Sequence, residues 1–185
     1  MKTLLLLAIA SIIHIPTPAL ANQKFDLLIS KHLGPEAKKE KIVLLVDYSL
    51  PITAKRFFVY NTTEKKILLS DFVGHANKSG RLKPKYFSNK LGSNKTSLGT
   101  YKIGKKYQGA YGESYNLIGK SKTNSRALKR RVVIHNIDIE SKIVINYYKH
   151  KQFHLYSHGC FTFFKQPYNR IKKYLIPGTY MIVFN

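Results

Sequence analysis

The chain has 185 residues, a length that suits one domain with its own core. Its 32 Lys and Arg against 9 Asp and Glu give a formal net charge of +23, which favours anionic surroundings. The basic residues fall in scattered pairs and triplets such as Lys38-Lys39, Lys65-Lys66 and Lys129-Arg130-Arg131, with no helix-turn-helix, zinc-finger or RNA-recognition pattern around them, so nucleic acid is not an expected partner.

At the start, Met1-Lys2 precedes an apolar run from Leu4 to Ile15, and Ala19-Leu20-Ala21 is a small-x-small cleavage signal. This reads as a secretory signal peptide over 1–21, with the product exported to the periplasm or cell envelope. No later apolar run is long enough to span a bilayer, so no transmembrane segment is expected after signal removal. Residues 22–41 place Phe25, Leu28, Ile29 and Leu33 at helical spacing before Gly34-Pro35, which predicts a short amphipathic helix followed by a charged linker. A domain over 42–185 should follow.

Within it, the run from Lys41 to Asp47 predicts a buried strand. Arg56 to Tyr60, the turn Asn61-Thr62-Thr63-Glu64, and Lys66 to Val73 predict a hairpin. Gly74 to Thr96 is rich in Asn, Ser, Gly and Lys and reads as a long surface loop, with His75 at its start as an ordinary strand-end histidine or a residue facing a site. Gly99 to Lys106 approaches a phosphate-binding loop, but Lys106 stands where Ser or Thr would reach magnesium, so a strand is the better reading. Glycines and tyrosines alternate from Tyr107 to Gly119. Thr123 to Arg130 suggests a helical turn capped by Asn124 or Ser125. Strands are expected over Arg131–His135 and Thr179–Phe184, an apolar patch at Ile143–Tyr147, and a basic amphipathic helix over Gln166–Tyr174. Many short strands with few helices predict a mainly β sandwich with short helices.

Chemistry concentrates in Tyr156-Ser157-His158-Gly159-Cys160-Phe161, which holds the only cysteine. An exported chain with one cysteine has no internal disulfide to make, so Cys160 is a candidate reactive thiol, with a buried inert thiol or an intermolecular disulfide as alternatives. A thiol attacks carbonyl carbon as thiolate and needs a cation or a base nearby. Histidine supplies either. Gly159 permits positive φ and close approach of a substrate carbonyl, with the N–H groups of Gly159 and Cys160 as candidate oxyanion donors. A zinc site from His135, His154, His158 and Cys160 lacks the Cys-x-x-Cys or helical His-x-x-x-His spacing, so no metal is expected.

Three stretches in order, Thr96-Ser97-Leu98-Gly99-Thr100-Tyr101, Val133-Ile134-His135 and Ser157-His158-Gly159-Cys160, resemble the YkuD-type L,D-transpeptidase catalytic domain. Tyr86-Phe87-Ser88-Asn89, Gly92-Ser93, Tyr107-x-Gly109, Leu117-x-Gly119 and Asn124-x-x-Ala127-x-x-Arg130 look like its exported murein L,D-transpeptidase subgroup. The resemblance runs from about Val43 to the end. It implies an L,D-transpeptidase-like β-sandwich, Cys160 as nucleophile, His135 as the base that activates it, and His158 with Gly159 shaping the pocket. A carbonyl, that of Asn136, would orient the His135 ring, and the pair would hold the thiol pKa well below its free value. Ser157, Asn136 and Thr162 are the candidate substrate-binding residues. Thr162 stands where the family commonly has Asn or Arg, His135 is followed by Asn136 where many members have Gly, and the segment between His135 and Cys160 is longer than usual.

The expected activity is transfer of a peptidoglycan stem peptide through a Cys160 acyl-enzyme, without a cofactor. Two other readings stand beside it: an L,D-carboxypeptidase using the same site, and a non-catalytic basic protein that binds anionic cell-envelope polymers.

Overall fold

The computed structural model describes residues 18–110, 112–137 and 156–185. The expected apolar patch at 143–147, together with His150 and His154, lies outside the described residues.

Among the described residues, eight strands form one mixed sheet. In chain order they are β1 (Ile42–Asp47), β2 (Phe57–Asn61), β3 (Lys66–Asp71), β5 (Gly99–Gly109), β6 (Gly112–Gly119), β7 (Val133–Ile137), β9 (Phe161–Phe164) and β10 (Tyr180–Phe184). A separate two-stranded pair joins β4 (His75–Ala76) to β8 (Tyr156–Ser157). The order across the large sheet is β3-β2-β1-β10-β5-β6-β7-β9. Only β1 with β10 and β7 with β9 run parallel within it.

Strand β1 is an uninterrupted apolar run because both its faces are covered. Leu44 and Val46 enter a core shared with Tyr101, Ile134 and Phe161, whereas Val43 and Leu45 enter a second core on the opposite face. That second core is closed by helix α1 (Pro18–Leu33), whose Phe25, Ile29 and Leu33 are buried against Val43, Leu45 and Ile182. Burying each such side chain stabilises the fold by about 1.5–3 kcal/mol, so the helix shares its core with the sheet. Ala21, the expected processing position, lies within α1, ahead of the first of these buried residues.

The sheet curls. Phe57 of β2 and Phe163 of β9, near opposite ends of the strand order, meet edge to face with centroids 5.1 Å apart. Past the end of β3, the Gly74 amide donates to the Thr162 carbonyl at 2.8 Å. Helix α2 (Lys165–Ile171) fastens the same corner, as the Arg170 guanidinium reaches the buried Asp71 carboxylate at 2.7 and 2.8 Å. The sequence placed this helix at 166–174. It ends earlier, and a 3-10 turn over Lys172–Tyr174 completes the span. The chain is thus mainly β with short helices, and its sandwich-like layering comes from one sheet folded around its core.

Two connections matter for the site. The loop after β3 is drawn in by its hydroxyls: the Thr96 amide donates to Ser79 Oγ at 2.8 Å and the Ala76 amide to Thr96 Oγ1 at 3.0 Å. The stretch from Ser121 to Arg131, where a helical turn capped by Asn124 or Ser125 was expected over Thr123–Arg130, is a series of turns. Asn124 causes this: its side chain accepts from the Ser121 amide at 2.9 Å and donates to the Thr100 carbonyl at 2.8 Å, which ties the segment to β5. Gly119 lies so close beneath that a Cβ there would stand 1.9 Å from the Asn124 carbonyl oxygen. Gly119→Ala should therefore destabilise the fold by at least the usual overpacking cost of about 1–3 kcal/mol, read as a lowered denaturant midpoint.

Candidate active site

The cysteine segment is held from both sides. Strand β8 pairs parallel with β4, His75 opposite Tyr156 and Ala76 opposite Ser157. Under β4 the buried Arg56 guanidinium stacks 4.8 Å from the Tyr48 ring, donates to the Val73 carbonyl at 2.8 and 3.0 Å, and reaches His75 Nδ1 at 2.7 Å. His75 Nε2 in turn meets the Gly80 carbonyl at 2.8 Å. His75 is thus a buried support of β4. Burial lowers the Arg56 pKa to about 10.

The chain then turns at Gly159, whose φ of +138° strains any side chain. A Cβ there would also stand 3.2 Å from Arg130 Nη2. Ser157 binds the loop to itself: its hydroxyl donates to the Cys160 carbonyl at 2.6 Å and accepts from the Gly159 amide at 3.1 Å. That amide, one of the two expected oxyanion donors, is therefore engaged within the loop.

Strand β9 carries the chain away from Cys160 beside β7, with His135 opposite Thr162. A pocket of about 400 Å³ opens at this junction, lined by Asn77, His135, Ile137, Ser157, His158, Cys160 and Thr162. His135 Nδ1 lies 2.8 Å from the Asn136 carbonyl, so Nδ1–H donates to it and Nε2 carries the lone pair. The Cys160 thiol is directed to the Arg131 carbonyl at 3.7 Å.

Of the residues singled out in the sequence, the pocket brings together Cys160, His135, His158, Ser157 and Thr162, with Gly159 buried behind them. Asn136 corrects the expectation. Successive side chains on a strand face opposite ways, so with His135 and Ile137 in the pocket the Asn136 amide faces elsewhere. Its Oδ1 lies near Gly112 and has no hydrogen-bond partner among the described residues. Its contribution to the pocket is the main-chain carbonyl. Asn77 and Ile137 were not foreseen, since nothing in the sequence marks Asn77 among the polar residues of its loop. Arg130 was visible as a member of the basic triplet Lys129-Arg130-Arg131 and of the spaced set Asn124, Ala127 and Arg130, neither of which places it beside Cys160.

Electrostatics also departs from expectation. Burial raises the Cys160 pKa, against the smaller opposing effects of a hydrogen bond from the Val133 backbone and the positive charge of Arg130. Burial likewise lowers the His135 pKa, partly offset by the bond to Asn136. Both directions favour a neutral thiol beside a neutral imidazole, and the raised thiol pKa runs against the lowered one that the resemblance implied. Such a pair transfers its proton during attack.

The described residues thus form a curled, mainly β domain with a thiol and an oriented imidazole in one pocket. The L,D-transpeptidase catalytic domain family profile matches residues 18–184, and the chain belongs to that family. Among solved structures it is similar to Bd1075 of Bdellovibrio bacteriovorus, with 14% identity and a TM-score of 0.51, covering 78% of this chain and 48% of that one. It is also similar to L,D-transpeptidases of Mycobacterium smegmatis (13% identity, TM-score 0.44, 78% and 59% covered) and Enterococcus faecium (14%, 0.47, 78% and 50%). The chain thus spans about half the length of several structures it matches. No curated protein matches its sequence.

The charge states give two measurable consequences. Iodoacetamide labelling of Cys160 should rise with a midpoint above the ordinary thiol value of about 8.5, with no plateau near neutrality. Because the folded-state pKa of His135 is depressed, the unfolded chain binds more protons between that value and about 6.5. Stability should fall as pH drops through this window, and His135→Gln should remove that part of the slope in denaturant titrations.

Proposed function

We propose that the protein is a peptidoglycan L,D-transpeptidase working through a Cys160 acyl-enzyme. The observation that supports it most is the shared pocket of Cys160 and His135, with the imidazole tautomer set by the Asn136 carbonyl, in a chain of this family. In the first half-reaction Cys160 Sγ attacks the carbonyl carbon of a stem peptide while His135 Nε2 takes the thiol proton. The carbon–nitrogen bond to the terminal D-residue breaks, and the proton passes to the departing amine. In the second, an acceptor amine attacks the thioester, His135 takes its proton, and the proton returns to sulfur as the carbon–sulfur bond breaks. His158 at the rim and Thr162 in the wall shape the donor site, while Ser157 keeps the nucleophile loop closed. The signal-like N-terminus supports export to the compartment that holds this substrate.

The test is intact-mass analysis of the folded protein after incubation with a tetrapeptide stem or a carbapenem, whose strained lactam carbonyl acylates a thiol. Wild type should gain one acyl adduct and Cys160→Ala none. His135→Ala should slow acylation by about 10²–10⁴-fold, the usual contribution of a general base. A folded wild type without an adduct overturns the cysteine-enzyme reading and leaves the net charge of +23 as the argument for anionic-polymer binding, which high salt would weaken. An adduct resolved only by water identifies an L,D-carboxypeptidase.

A further inference from the structure

Arg130 occupies an unusual seat. Its Nη1 donates to the Ser88 carbonyl at 2.8 Å and Ser97 Oγ at 3.1 Å, and its Nη2 to the Lys95 carbonyl and Ser93 Oγ, the latter at 3.4 Å. All four acceptors are neutral. Among the described residues no carboxylate lies within ion-pair distance: Asp47 is taken by Lys24, Asp71 by Arg170 and Glu113 by Lys106. A partly buried cation is ordinarily compensated by an anion, and an arginine does not escape by losing its proton.

Among the described residues, the group beside the guanidinium that can become an anion during reaction is on the nucleophile's side. Nη2 lies against the backbone of Gly159, the residue before Cys160. The next residue, Arg131, supplies the carbonyl that receives the thiol. Tyr101, the other acidic group near the guanidinium, has its pKa pushed up to about 12, so it stays neutral. Lys95 contributes its carbonyl while its ammonium lies over the Tyr86 ring at 5.4 Å. Among the described residues, the remaining titratable groups that line the pocket with the thiol are His135 from β7 and His158 from its own loop.

We propose that Arg130 is a positioning residue for the reaction: a fixed positive charge, held behind Gly159 by neutral acceptors, that favours the anionic states of the site as Cys160 loses its proton and attacks. The guanidinium fork also joins Ser88, Ser93, Lys95 and Ser97 into one bearing for the nucleophile loop, which a lysine would hold less well. This rests on reading Cys160 as the nucleophile, but its test uses thiol titration and does not require transpeptidase turnover, so the two readings fail separately.

The experiment compares the pH profile of Cys160 alkylation by iodoacetamide in wild type, Arg130→Gln, Arg130→Lys and Ser97→Ala. Loss of a nearby opposite charge should raise the midpoint in Arg130→Gln by about 0.5–1 pH unit, with alkylation at neutral pH slowed by about 3–10-fold. Arg130→Lys should restore the midpoint, and Ser97→Ala, which removes one acceptor and no charge, should leave it in place. A folded Arg130→Gln with the wild-type midpoint overturns the proposal, as does Arg130→Lys shifted as far as Arg130→Gln, which would assign the effect to loop geometry. A measurement on the wild-type fold decides the matter if Arg130→Gln does not fold. The guanidinium nitrogen resonances of Arg130 should move with the Cys160 titration in wild type and not in Cys160→Ser; resonances that do not follow it overturn the proposal.

Discussion

The parallel pairing of β7 with β9 sets His135 opposite Thr162 and so puts the imidazole beside the segment that begins at Cys160. A parallel neighbour cannot be reached by a tight turn, and β7 and β9 are accordingly far apart in the sequence. The pairing also fixes which side chains meet. A one-residue slip would exchange the faces and place Asn136 where His135 stands. The rest of the site architecture holds this register: Phe163 packs on Phe57, the Thr162 carbonyl receives the Gly74 amide, and Arg170 anchors α2 on Asp71.

On that frame the chain places two guanidiniums among neutral acceptors. Arg56 lies beneath β4, on carbonyls, the Tyr48 ring and His75. Arg130 lies beneath the nucleophile loop, on carbonyls and serine hydroxyls. With only 9 acidic residues, two of them buried at Asp47 and Asp71 for structural ion pairs, carboxylates are scarce and carbonyl oxygens take their place. The charge of Arg130 consequently favours the thiolate in a region whose desolvation favours the thiol. The two effects oppose each other, and burial prevails in the resting protein. The positive charge gains weight as negative charge develops, because it is already oriented and needs no reorganisation.

What could be read in the sequence was local. The apolar run of β1, the β2–β3 hairpin turn, the closing strand and the cysteine segment each carry their own chemistry within a few residues, and so does the glycine whose positive φ turns the loop. The ordered family motifs added the pairing of His135 with Cys160. Helix α1 was visible in its 3.6-residue spacing, but its burial against Val43, Leu45 and Ile182 was not, since spacing shows an apolar face without showing what covers it. The strand β6 was hidden because its glycines and tyrosines lack a clean two-residue alternation, and it formed through pairing with β5.

The charge states and the supporting shell were decided by tertiary structure alone. A histidine paired with a cysteine implies a lowered thiol pKa, yet the direction of the shift depends on how much water each group loses on folding, and that depends on distant strands. The same holds for Asn136, whose side chain was excluded from the pocket by strand alternation once His135 was fixed in it. Asn77 and Arg130 reach the site from a loop and a turn far from Cys160 in the chain. The sequence alone determined which candidate groups the site offers; the packing of the curled sheet determined the direction in which their pKa values move and which neutral oxygens hold the charge behind them, because desolvation and through-space contact are properties of the folded chain.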